Sequence, residues 1–107
     1  MALTRNFKET IRDRVQRDPK FRKELLREGL EALLSGEIEV AKTVLRDYIN
    51  ATVGFTGLAE VTHIPPKSLM RMFGPNGNPT AVNLFGVIVA LQDKTGVHLE
   101  VHAVEAA

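Results

Sequence analysis

Between residues 79 and 94 the chain is apolar nearly all round a helix. Ala81, Val82, Leu84, Phe85, Val87, Ile88, Val89, Ala90 and Leu91 leave it no wide polar face. A helix of this kind has to be covered on most sides, by the rest of the chain and in part by a partner. Earlier stretches of the chain read as helices too. Phe7, Ile11 and Val15 make one apolar stripe on a first short helix, and Asp18-Pro19 caps and starts a second that runs to about Ser35. Its apolar face is Phe21, Leu25, Leu26, Leu30, Leu33 and Leu34, and Gly36 fits a left-handed stop. A third helix over 37–51 carries Ile38, Ala41, Val44, Leu45, Tyr48 and Ile49, and Gly54 closes it. With 107 residues, 44% hydrophobic and 6% aromatic, one aliphatic core is the natural outcome.

Composition removes several functions. There is no Cys, so disulfides, thiolate metal sites and cysteine nucleophiles are excluded. No uncharged run is long enough to cross a bilayer and residues 1–8 lack an apolar signal core, which leads us to expect a cytoplasmic protein with no membrane partner. No phosphate loop, nucleophile elbow or His-Glu-x-x-His motif appears, so neither an enzyme nor a bound cofactor is expected. Net charge is +1, but residues 1–28 hold nine Lys/Arg against five Asp/Glu. That basic excess suits either phosphate contact or a solvated helical face.

The spacing tightens after residue 54. Thr56 can cap a short helix to Thr62, His63-Ile64-Pro65 interrupts it, and Pro66 opens another helix to Phe73. Ala59 is small where two helices must approach closely, and Leu58, Ile64 and Leu69 stand where they would seal the corner. Such a pair lays its second helix in the major groove of DNA, although the same corner also serves as a plain scaffold. Between Thr62 and Gln92 the cations are Lys67 and Arg71, four apart on one helix face, with no acid among them. Lys67, Ser68 and Arg71 are therefore the candidates for base contact, Arg71 being suited to a bidentate guanine contact. Thr56, Asn76 and Asn78 are candidates for backbone phosphates, and the two asparagines fit turn and cap roles equally well. Met70 and Met72, beside Phe73, are expected to pack this helix onto the body, with Met70 in reach of a thymine methyl.

Leu58-Ala59, Ile64 and Leu69 resemble the phage-repressor or Xre-like helix-turn-helix. With Lys67-Ser68-Leu69, Asn76-Gly77-Asn78-Pro79 and the hydrophobic helix that follows, residues 54–101 resemble the HigA-type addiction-module antidote branch. The resemblance implies a lambda-repressor-like fold and an autoregulating antitoxin. Its partners would be a double-stranded DNA operator and a cognate small toxin protein. The chain departs from that pattern at His63, where Gly is usual, and at Pro65, where a capping Ser or Thr is usual.

After Gly96 the pattern alternates strictly, with Val97, Leu99, Val101 and Ala103 on one side and His98, Glu100 and His102 on the other. This reads as a half-buried β-strand. A lone strand needs a ladder partner, and the same strand of a second copy would make those four residues a homodimer contact. Pairing with an N-terminal segment, or fraying, is the alternative. His98, Glu100 and His102 are spaced too widely along a strand to close on one ion, so no metal site is expected. The expected architecture is mainly α: a helical segment over 1–53, and a helix-turn-helix region with a dimerisation strand over 54–107, in one compact domain. The expected function is sequence-specific DNA binding in transcription regulation. The alternative is a protein-interaction module that keeps the helix-turn-helix fold.

Overall fold

Each helix starts or stops where the local chemistry changes. The computed structural model describes residues 7–107, with side chains described from Thr10 onward, and the side-chain contact expected of Phe7 lies outside that range. Six helices follow in order: α1 (Phe7–Arg17), α2 (Pro19–Leu34), α3 (Ile38–Ala51), α4 (Gly54–Thr62), α5 (Pro66–Met72) and α6 (Ala81–Thr95). Asp18 separates α1 from α2, its Oδ1 accepting the Lys20 and Phe21 amides at 3.0 and 3.2 Å while Pro19 takes the first helical position. Gly36 and Gly96 end α2 and α6 at φ 81° and 72°.

Two starts differ from the sequence reading. Helix α4 begins at Gly54, with no side-chain cap, so Thr56 lies within its first turn. Helix α6 begins at Ala81, two residues later than Asn78-Pro79 suggests, because the Thr80 hydroxyl oxygen accepts the Asn83 amide at 3.2 Å. A hydroxyl nearer the helix supplies the cap, and Pro79 becomes part of the approach.

One apolar cluster unites the two halves of the chain. Leu26 of α2 and Leu45, Tyr48 and Ile49 of α3 pack with Phe55, Leu58, Leu69, Phe73, Val87, Leu91 and Val97. Burying each large side chain contributes about 1.5–3 kcal/mol. Tyr48, fully buried, donates its hydroxyl to Thr95 Oγ1 at 2.8 Å, and Thr95 in turn donates to the Leu91 carbonyl. Burial pushes the Tyr48 hydroxyl above the usual tyrosine range, against a smaller opposing effect of that hydrogen bond.

The C-terminal segment corrects the expected β-strand. Among the described residues there is no strand, and 97–107 run without a ladder. Val97 is buried in the common core and Leu99 packs against it, but Val101 is 80% exposed and Ala103 is exposed too. The Leu99 amide finds the Gln92 side-chain oxygen at 2.9 Å, replacing the partner that a ladder would provide. Alternation here marks an extended chain with one side laid on a helix, and the lone strand across a dimer is withdrawn. Helix α6 is also less covered than its composition suggests. Val87, Ile88, Ala90 and Leu91 are buried, while Val82, Phe85 and Val89 face outward.

Candidate nucleic-acid interface

A tight corner joins α4 to α5. His63 stands in the left-handed region at φ 62° and ψ 24°, its amide donating to the Ala59 carbonyl at 2.8 Å to close α4. This is the position where the sequence departs from glycine, and histidine holds the strained conformation there. Pro65 then leads into α5 with no side-chain cap, as its lack of a hydroxyl dictates, and the Pro65 carbonyl accepts the Leu69 amide at 3.0 Å. Leu58 and Leu69 are fully buried across the corner, with Ala59 and Ile64 packed against the same cluster.

The buried Leu69 fixes which face of α5 looks outward. Lys67, Met70 and Arg71 are exposed and Ser68 is half-buried, whereas Met72 and Phe73 turn toward the core. Of the two methionines, Met72 anchors the helix as expected and Met70 points into solvent, half exposed.

Beyond α5 the chain folds back over the helix end. An open groove of about 400 Å³ results, walled by Ser68, Arg71, Asn76, Asn78 and Asn83 over Ile64 and Met72. Arg71 is its cation and no acidic side chain lines it. The structure thus gathers four of the six proposed DNA-contacting residues. Lys67 lies one turn from Arg71 on exposed α5, outside the groove wall, and Thr56 is exposed on α4, also outside it. Asn83 was not foreseen; recognising Thr80 as the α6 cap would have put Asn83 in the first turn beside the asparagine loop. Since Thr80 caps α6, Asn78 is not engaged in that role.

The groove is held from behind by α3. Lys42, 4% exposed, donates its ammonium to the Gly74 and Gly77 carbonyls at 2.9 and 2.8 Å and lies 3.0 Å from Glu39 Oε2. Arg46 adds a longer bond to the Phe73 carbonyl at 3.3 Å. Gly77 sits so close to the end of α5 that a Cβ there would run into the Arg71 and Met72 carbonyl oxygens. These contacts seat residues 74–78 beside Arg71.

A second, apolar groove of about 540 Å³ lies between α2, α6 and the C-terminal segment. Leu30, Leu33, Leu34, Leu84, Phe85 and Val101 supply most of its lining. Of the proposed homodimer residues, Val97 and Leu99 are turned inward, and Val101 and Ala103 are outward. His102 Nε2 lies 3.4 Å from Glu100 Oε1 at the surface, and among the described residues no three His, Cys, Asp or Glu side chains are grouped to hold a metal ion. No described helix is long and apolar enough to cross a membrane. The chain matches no family model, no curated protein and no solved structure.

Proposed function

We propose that the protein is a sequence-specific DNA-binding regulator that lays α5 in the major groove of its operator. One observation carries the reading: Ser68 and Arg71 of α5 share a groove with Asn76, Asn78 and Asn83, and no acidic side chain lines it. Lys67, Ser68 and Arg71 read base edges, Arg71 through a bidentate contact. Asn76, Asn78 and Asn83 hold backbone phosphates and fix the register of α5 on the duplex. So few cations per copy give weak binding alone, so two copies act on one operator. In the antidote role that the resemblance implies, the protein represses its own promoter in the cytoplasm and engages a small toxin.

The test is a gel shift on the protein's own promoter at two salt concentrations. Retardation that depends on promoter sequence and weakens with salt supports the reading, and none at low salt refutes it. The exposed apolar groove beside Phe85 favours a second reading, a protein-interaction module that keeps the helix-turn-helix corner. That module binds no DNA specifically, so the same gel shift separates the two.

A further inference from the structure

We propose that Lys42, remote in sequence and turned away from solvent, is the positioning residue for the asparagine edge of the DNA-reading surface; the proposal rests on the DNA-binding reading above. Lys42 lies on α3, 32 and 35 residues before the two carbonyls that it binds. Both carbonyls belong to the loop that carries Asn76 and Asn78. A buried ammonium needs partners for its donors and its charge, and here the Gly74 and Gly77 carbonyls accept hydrogen bonds while the Glu39 carboxylate pairs with the charge at 3.0 Å. The arrangement works in the other direction too. Residues 74–78 have no helix or ladder of their own: the Gly74 amide donates to the Arg71 carbonyl at 3.1 Å, which ties the start of the turn to α5, and the Gly77 amide returns to the Gly74 carbonyl at 3.0 Å, which closes the turn but leaves its far end, with Asn76 and Asn78, to be held by Lys42. Lys42 pins that turn through both carbonyls, and the backbone end of α5 lies so close to Gly77 that it leaves no room for a Cβ. The asparagines are thereby held at a fixed offset from Arg71, which a phosphate contact beside a base contact requires.

Lys42 is only 4% exposed and its charge faces Glu39, so it adds almost nothing to the field met by DNA. Its loss therefore differs from the loss of a phosphate contact. With Lys42→Met, or Lys42→Gln where the first variant is too unstable to purify, operator affinity falls about tenfold, the scale of coupling between groups in one network. The salt slope stays that of the parent, because no cation that meets the DNA is removed. Combined with the Asn76→Ala/Asn78→Ala pair, the Lys42 variant costs little more than the pair alone; combined with Lys67→Ala the two losses multiply. A salt slope reduced by about one, or losses that multiply with the asparagine pair, overturns the positioning role. If the unaltered protein retards no DNA, the DNA reading itself fails. Amide exchange on the free protein then judges Lys42 separately: its replacement speeds exchange at Gly77, and an unchanged rate there overturns the assignment.

Discussion

Alanine in place of Gly77 tests how rigidly the loop is seated on α5. The added Cβ meets the carbonyl oxygens of Arg71 and Met72, which are helix backbone and cannot rotate away as a side chain would. Moving the end of α5 would pull Phe73, 1% exposed, out of the core. Moving the loop outward would stretch the two Lys42 bonds to Gly74 and Gly77, each a charge-assisted bond of about 1.5–3 kcal/mol. Overpacking of this kind costs about 1–3 kcal/mol, and with a hydrogen bond weakened the gross cost reaches about 3 kcal/mol. Gly77 does not lie at positive φ, so alanine suits its backbone and returns about 0.5–1 kcal/mol through the unfolded chain. The net loss is about 2 kcal/mol. Gly86→Ala is the matched control, since Gly86 lies within α6 and a Cβ there meets nothing within 4 Å. It gains about 0.5–1 kcal/mol from helix propensity. Urea unfolding of both variants at constant m-value reads the difference. A Gly77→Ala midpoint within about 0.5 kcal/mol of the parent would show that the loop yields freely and would refute the clamp.

Arg71→Ala weakens operator binding by about 1–3 kcal/mol and relaxes preference at one base position; an unchanged gel-shift midpoint with unchanged preference removes Arg71 from the reading face. His63→Gly relieves a left-handed residue at about 1–2 kcal/mol, offset by about 0.5–1 kcal/mol of added chain entropy, so the urea midpoint rises slightly. A lower midpoint would mean that the imidazole makes a stabilising contact. Tyr48→Phe costs about 1 kcal/mol at neutral pH through the lost bond to Thr95. Its pH signature follows from the raised folded-state value: above about pH 10 the unfolded chain loses the phenolic proton first, so stability falls as pH rises. Unfolding followed from pH 8 to 11 then shows a shallower alkaline decline in the Phe variant, and parallel curves would contradict the burial effect.

Signals confined to a few neighbouring residues were legible in the sequence. Asp18-Pro19 set the start of α2, and Leu58, Ala59, Ile64 and Leu69 outlined the corner. His63 in place of glycine marked the left-handed residue. The alternating C-terminal segment misled because a period of two reports one buried side and is silent about where the amides go; Gln92 takes the Leu99 amide, and no ladder forms among the described residues. Asn78-Pro79 and Thr80 both have cap chemistry, so the sequence leaves the start of α6 two residues open and gives Asn83 no fixed place in the first turn. Lys42 was invisible for another reason. Its partners are backbone carbonyls more than thirty residues away, and a carbonyl leaves no mark in a sequence.

Because Leu26, Leu45, Tyr48 and Ile49 share one core with Leu58, Leu69 and Phe73, the corner that presents α5 has no interior of its own. A fragment cut at residue 54 would bare the inner sides of α4, α5 and α6 to water together. Stability of the corner is consequently borrowed: wherever α2 and α3 come loose, α5 loses its footing with them.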